Sequence, residues 1–273
     1  MLNRGQNLVV SETHSFSPRL IWEGRFGFNR LRREVLQQNA GNDIAERLGI
    51  PGLSTEPDFV GFPAINVAGF DNLSDNIAQP ILRQDNTFQV VQQLTHARGR
   101  HTLKAGLDYR RFSNSGIQGF FGRGQFNFLG AFTTNAVADM LLGFPTFTIQ
   151  TAIDNPFRQR VSSWNGYLQD DWKVIPRLTL NLGLRYEWNH PVTDADDRFT
   201  FFDLARNELV RAGVEGASRS GLESDANNVA PRIGVSWSPR GSGDLAVRAG
   251  YGVFYDVPKS FDHSLSDDRV LAR

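Results

Sequence analysis

The sequence contains no cysteine, which excludes disulfide frameworks, thiolate metal sites and cysteine nucleophiles. It has no excess of charge, since 29 basic residues balance 29 acidic ones, so its composition does not favour nucleic acid as a partner. No apolar run approaches the roughly 18 residues that a membrane-spanning helix needs. Glycine (26 residues) and phenylalanine (21 residues) are abundant, however, and this balance favours β structure.

The clearest structural signal is a strict alternation at positions 178–188. Even positions carry leucine, tyrosine or tryptophan, whereas odd positions carry threonine, asparagine, glycine, arginine or glutamate. Because side chains alternate across a strand, one face would be apolar and the other polar or small. These residues would extend about 37 Å and, tilted near 45°, would cross about 26 Å, close to the apolar band of an outer-membrane barrel.

The same alternation recurs along the chain, and the connections between strands follow a rhythm. Short turns at 17–19, 97–100, 174–177 and 239–243 alternate with long loops, as in outer-membrane barrels. We therefore predict an all-β, antiparallel up-and-down transmembrane barrel segment with eight firm strands, and expect ten once 113–160 is counted. The firm strands are 6–16, 20–28, 87–95, 101–112, 161–173, 178–188, 232–237 and 245–255, and the additional ones are 125–129 and 146–151, around a helical turn at 135–143.

The two faces of such strands would have different surroundings. Apolar faces would contact outer-membrane lipid, and aromatic residues near strand ends would form the interfacial girdles. The girdle candidates are Trp22, Trp164, Trp172, Tyr186, Trp188, Tyr251 and Tyr255. The candidates for the polar lumen face are Lys104, Asp108, Arg110, Arg185, Glu187 and Arg248.

A soluble β-sandwich, such as a carbohydrate-binding or adhesion module, also alternates apolar and polar residues, with the apolar face turned inward. Three features favour the membrane barrel instead. Most of the predicted strands are longer than the usual length of about five or six residues. Aromatic residues lie at their ends, and short and long connections alternate. In the long loops, the aromatics Phe59, Phe62, Phe70, Phe120 and Phe121 are candidates for stacking on sugars.

We find no arrangement typical of an enzyme, a metal site or a cofactor site. Asp170 and Asp171 are adjacent on a strand and would point to opposite faces, so they cannot share a proton. Residues 194–197 carry three aspartates but lack the turn glycine and final glutamate of a calcium loop. His96 and His101 flank one turn without metal-ligand spacing, and the glycines at 122 and 124 lack a third at phosphate-loop spacing.

Five segments carry a likeness to a known family. They are LQDDWK (168–173), PRLTLNLGLRYE (176–187), RGRHTLKAG (98–106), ADMLLG (138–143) and APRIG (230–234). Together they resemble TonB-dependent outer-membrane receptors, specifically the Oar-like β-barrel group, and the likeness extends over about 6–256. This resemblance implies a 22-stranded barrel, an N-terminal plug and TonB-driven uptake of a large solute such as a siderophore or an oligosaccharide.

The chain departs from that family pattern at both ends. We find no signal peptide, no plug and no closing C-terminal strand, so we expect residues 1–258 to form part of a receptor barrel, followed by an unstructured tail at 259–273. The TonB system would act only through the missing plug. Two open sheet edges in lipid would be costly, and we expect this stretch to be inactive in transport on its own.

Overall fold

A computed structural model describes residues 1–74, 76–151, 156–204, 206–239 and 245–256. Fourteen strands and two short helices lie in these ranges, with a 3-10 turn at Pro57–Phe59. The strands are β1 (Leu2–Ser17), β2 (Leu20–Val35), β3 (Ala64–Val67), β4 (Ile81–Arg98), β5 (His101–Gln118), β6 (Gln125–Phe128), β7 (Phe147–Ile149), β8 (Phe157–Ile175), β9 (Leu178–Asn189), β10 (Thr193–Asp194), β11 (Thr200–Asp203), β12 (Glu208–Arg211), β13 (Asn228–Trp237) and β14 (Val247–Gly252), and the helices are α1 (Ile44–Arg47) and α2 (Ala136–Leu142).

Eight strands form one sheet in the order β1-β2-β4-β5-β8-β9-β13-β14, which is also their order along the chain. The predicted eight-stranded meander is therefore confirmed, and the short connections at 18–19, 99–100 and 176–177 are the predicted turns. Several strands are longer than predicted. β4 and β5 have 18 residues each, and such a strand extends about 61 Å.

The expectation of ten strands in this sheet is wrong. β6 and β7 belong to a separate three-stranded sheet, in which β6 pairs in parallel with β3 and antiparallel with β7. β6 has four residues and lies between Gly124 and Gly130, both with positive φ. A strand of this length extends only about 14 Å and cannot cross an apolar band of about 25 Å.

The long loop predicted between the strands at 178–188 and 232–237 also contains strands. β10 pairs with β8 and adds a ninth strand to the large sheet, while β11 and β12 form a separate antiparallel hairpin. The hairpin has its own small buried core, which includes Val210 and Ala212. Alternation over four residues is too short to distinguish such strands from a loop.

The register of the large sheet fixes which side chains share a face. Asp171 lies opposite Asn181, and Asn181 lies opposite Gly234, so these positions are on the polar face. Leu182 and Ile233 lie opposite each other on the other, apolar face. This face is open rather than covered by a second sheet: Leu184 is 50% exposed and Tyr251 is 71% exposed. A sandwich would bury both residues, so the register and exposure argue against the soluble alternative.

The helical turn predicted at 135–143 is confirmed, and the structure contains a second short helix. α1 begins after Asp43, and α2 lies within the predicted turn at 135–143. The side chain of Asn135 accepts hydrogen bonds from the backbone N–H groups of Val137 and Ala138, while Gly143 ends α2 in the left-handed conformation. Neither helix among the described residues has the length and apolar character to cross a membrane.

The chain divides into two compact units. One comprises Met1–Gly5, Leu31–Gln84 and Ser115–Phe157, and contains the three-stranded sheet and both helices. The other comprises Gln6–Arg30, Asp85–Asn114 and the described residues from Arg158 onward. The tail predicted at 259–273, which includes His263, lies outside the described residues.

Candidate functional site on the polar face of the sheet

The centre of the polar face is a charged cluster around Asp171. Its carboxylate accepts hydrogen bonds from Lys104 Nζ at 3.2 Å, Gln169 Nε2 at 3.0 Å and Asn181 Nδ2 at 2.6 Å. These partners come from β5, β8 and β9, so one side chain links three strands. Strand alternation places Asp171 and Gln169 on the same face, and the pairing of β8 with β9 brings Asn181 opposite.

A second network extends the polar face toward β2. The hydroxyl of Tyr167 donates to Gln93 Oε1 at 2.5 Å, and Gln93 Nε2 donates to Glu23 Oε2 at 2.8 Å. The tyrosine ring lies over Gly106, where a β-carbon would come within 2.3 Å of the ring. Hydrogen bonds thus connect β2, β4 and β8 across the sheet. The ring of Tyr167 can cross β5 because Gly106 has no side chain.

The predicted lumen-facing residues do share the polar face. Asp108 accepts from Gln89 Nε2 at 3.0 Å, and Arg185 pairs with Glu187, whose side chain is largely buried. Arg248 lies opposite Ser236, which in turn lies opposite Thr179. Arg110 is exposed in β5, in phase with Asp108. That this face lines a lumen remains a prediction.

Several participants in this site were not among the sequence candidates. Glu23, Gln93, Tyr167 and Asn181 were not singled out, and Asp171 was considered only as a possible acid–base partner of Asp170. Asn181 lies between Leu180 and Leu182, so the phase of that strand was a usable signal. Which of these side chains meet depends on the register between strands that are far apart in sequence.

The apolar face carries an aromatic belt toward the ends of the strands that lead to the long loops. Trp164 lies opposite Trp188, and its ring centroid is 4.2 Å from that of Tyr109. On the neighbouring strands β2 and β4, the ring centroids of Phe28 and Phe88 lie 4.8 Å apart. Such belts are typical of membrane interfaces, where an aromatic ring meets both lipid and water.

The other girdle candidates occupy several places. Tyr186 is on the apolar face and donates from its hydroxyl to Ala226 O at 2.9 Å, while Trp22 Nε1 donates to Gln92 Oε1 at 2.9 Å. Trp172 stacks on His101 near the short turns, with centroids 5.4 Å apart. The prediction that Tyr255 lies in the last strand is wrong. β14 ends at Gly252, and Tyr255 donates to Val229 O from beyond it.

The two adjacent aspartates of β8 point to opposite faces, as predicted. Asp171 is on the polar face, whereas Asp170 Oδ2 lies 2.7 Å from His101 Nδ1 on the apolar side. A shared proton between the two carboxylates is therefore impossible. The structure gives His101 a carboxylate partner near its turn and does not join it with His96 in a metal site.

The three aspartates at 194–197 hold a loop together. Asp194 is buried and accepts from the backbone N–H groups of Arg158 and Asp196 at 2.8 and 2.9 Å. Asp196 forms a two-bond ion pair with Arg158, and this hydrogen bond lowers the pKa of Asp196. Asp197 pairs with Arg219 at 2.6 Å. Since each carboxylate has a different partner, the three do not converge as calcium ligands would.

Asp139 organises the segment around α2 in a comparable way. Its fully buried carboxylate accepts from the backbone N–H groups of Phe132 and Thr133 and from Thr133 Oγ1 at 2.6 Å. Burial alone would raise the pKa of Asp139, but the hydrogen bonds from Thr133, Phe132 and Ala131 outweigh it and lower the pKa. Asp139 is thus a structural anion that fixes the loop.

The remaining sequence candidates have structural roles or none. Gly122 and Gly124 lie under Phe59 and Leu53, where a β-carbon would clash, so they provide close packing. Among the described residues, no cluster of three or more histidine, aspartate or glutamate side chains is arranged to hold a metal. Of the loop aromatics, Phe59 is buried, whereas Phe70 and Phe120 are exposed and available for stacking.

Two comparisons with known proteins bear on this arrangement. The family model described as "outer membrane beta barrel domain" matches residues 2–267. A search of curated proteins found no match to the chain.

Proposed function

Because the chain belongs to the outer membrane beta barrel domain family, and is therefore a protein of the Gram-negative outer membrane, we propose that it forms barrel wall in a TonB-dependent receptor of the Oar-like group. In this proposal the polar face lines the lumen and the apolar face meets lipid. The receptor imports a large solute, such as a siderophore or an oligosaccharide, with energy from the TonB system. It performs no catalysis and needs no cofactor.

The observation that carries the proposal is the contrast between the faces. The polar face holds two hydrogen-bonded networks, one that includes Lys104 and Asp171 and one that includes Glu23. The opposite face exposes leucine and aromatic side chains. In a wide barrel this contrast suits a water-filled lumen inside and lipid outside. A small soluble domain would bury an apolar sheet face of this kind.

The exposed aromatics of the long loops support the choice of a large solute. Phe70 is 67% exposed and Phe120 is 45% exposed. Long loops lie on the outer side of such barrels, where flat apolar rings stack on sugars and on aromatic siderophore groups. These two residues are the first contacts that we assign to an incoming solute.

The test of transport uses the intact gene in its host. A strain lacking the gene is grown on a panel of ferric siderophores and oligosaccharides as sole iron or carbon source, and uptake of each labelled solute is measured. We expect one solute class to lose uptake, with the same loss in a strain that lacks TonB. Restoration by the wild-type gene but not by a Phe70→Ala, Phe120→Ala variant would support capture by the loops.

The controls separate transport from assembly. The variant protein must reach the outer membrane in normal amount, as measured by membrane fractionation. Phe59→Leu serves as a matched loop substitution, because Phe59 is buried and cannot touch solute. If uptake of every solute is unchanged by deletion of the gene, or persists without TonB, the receptor proposal is wrong.

A further inference from the structure

The short turns of the large sheet carry positive charge, which the proposed transport function does not explain. Arg19, Arg98, Arg100, Lys173 and Arg177 lie in or beside three successive turns, and all five are exposed. The turn segments 17–19, 97–100 and 174–177 contain no aspartate or glutamate. Within the described residues, none of the five forms an ion pair.

Backbone hydrogen bonds hold these turns in a row. Ala97 N donates to Arg19 O at 2.8 Å, and Lys173 N donates to Arg100 O at 2.8 Å. Arg100 Nη1 also donates to Val174 O at 2.9 Å, which fixes that guanidinium between two turns. Equivalent positions of neighbouring hairpins are two strands, or about 10 Å, apart. The turns therefore bring these cations into a row, which we call the turn-side basic row.

An apolar groove begins next to this row on the apolar face. Its end near the turns is lined by Leu20, Leu94 and Leu103, together with His96 and Asp170, and this open part has a volume of about 790 Å³. Arg98 is two residues beyond His96 in β4 and so has the same phase. The positive charge thus lies at the end of the groove.

The groove continues toward the middle of the sheet. An adjoining recess of about 490 Å³ shares four of its lining residues and extends to Gly166. Small side chains create this space, because Ala105 and Gly166 form its floor between leucines. A β-carbon at Gly166 would be 3.5 Å from Leu107, an ordinary contact, so a side chain can be added there without a clash with the backbone.

We propose that the turn-side basic row binds the phosphate of an anionic phospholipid, and that one acyl chain of this lipid occupies the groove. Arg19, Arg98 and Arg100 hold the head group, and the leucines around Ala105 and Gly166 enclose the chain. Short turns lie on the periplasmic side of outer-membrane barrels, so the lipid belongs to the periplasmic leaflet. The inference rests on the membrane location and not on the transport role.

Charge and shape together favour a lipid over an acidic protein. A protein partner would need only the basic row, whereas the groove beside it exposes mainly apolar surface and opens on the face that meets hydrocarbon. A phospholipid has an anionic group and an apolar chain joined in the same order as the two parts of the site. Each basic residue near an anionic membrane surface changes binding by about fivefold.

The test uses the protein purified from outer membranes in a mild detergent. Native mass spectrometry measures the binding of added phosphatidylglycerol and, separately, of neutral phosphatidylcholine. We expect the wild-type protein to prefer phosphatidylglycerol. The Arg98→Gln, Arg100→Gln double variant should lose this preference by more than about tenfold, and Gly166→Leu should weaken the binding of both lipids.

Matched variants keep the test decisive. Arg33→Gln removes an exposed cation at the opposite end of β2, and Ala249→Leu adds bulk on the apolar face outside the groove; neither should change lipid binding. Equal binding by the double variant and wild type would overturn the proposal. If the double variant keeps phosphatidylglycerol but releases a co-purifying acidic protein, the row binds a protein and the proposal is wrong.

Discussion

The ring of Tyr167 lies so close to Gly106 that a β-carbon at position 106 would be 2.3 Å from Tyr167 Cε1. The hydroxyl at the far end of this ring donates to Gln93 on β4. A strand glycine often marks such an approach. Here, the missing side chain in β5 lets a residue of β8 reach across β5 to β4, so three strands share one contact on the polar face.

We expect Gly106→Ala to displace this ring and destabilise the sheet by about 1–3 kcal/mol, the usual cost of overpacking. The lost hydrogen bond to Gln93 is part of that cost. Urea unfolding of the purified protein, followed by tryptophan fluorescence, measures the change. Gly166→Ala is the matched control, since its β-carbon would meet nothing closer than 3.5 Å. Equal effects of the two substitutions would contradict the contact.

The orientation of the faces predicts opposite responses to a new charge. Leu182→Lys places an ammonium on the apolar face, and we expect it to weaken folding into lipid by about 2–4 kcal/mol near the midplane. Gln169→Lys places the same charge on the polar face of the neighbouring strand. Gln169 lies opposite Gly183, the residue that follows Leu182. That variant should fold into lipid vesicles almost as well as wild type. A greater loss for Gln169→Lys would reverse the assignment of faces.

The lowered pKa of Asp139 predicts that the loop around α2 weakens in acid. Because the folded-state pKa lies below the ordinary 3.8, the carboxylate stabilises the loop fully above that value. This stabilisation is lost as the pH falls through the folded-state pKa. Hydrogen exchange at the Phe132 and Thr133 amides, corrected for intrinsic rates, should show protection falling over that range. The Asp139→Asn variant should show no such pH dependence.

The loop at 193–228 should depend on Asp194 far more than on Asp196. Asp194→Ala leaves partly buried backbone N–H groups of Arg158 and Asp196 without an acceptor, and each such group costs up to about 1–3 kcal/mol. Asp196→Asn weakens ion pairs with the half-exposed Arg158 and with Arg198, and exposed pairs contribute little. The rate of trypsin cleavage of this loop on intact cells should rise strongly for the first variant and slightly for the second. Equal rates would show that Asp194 does not hold the loop.

Part of this architecture was predictable because alternation is a local signal. The apolar and polar phases of β5 and β9, the short turns and the cap at Asn135 each depend on residues within a few positions of one another. The lumen candidates Lys104, Asp108, Arg185 and Glu187 were assigned to one face for this reason, and they share it. Strand ends were less predictable, since β4 and β5 extend beyond their apolar part into polar residues such as Asn86 and Ser113.

What the sequence alone determined is the phase of each long strand, hence two chemically different faces and eight strands in a meander. Only the tertiary structure decided that Asp171 meets both Lys104 and Asn181, that β6 and β7 leave the large sheet to pair with β3, and that Tyr167 covers Gly106. The physical reason is the distance along the sequence over which each feature is determined. Phase repeats every two residues and depends on neighbouring residues. Gln93 and Tyr167 meet through the register between β5 and β8, which a long connection joins, so no tight turn fixes it.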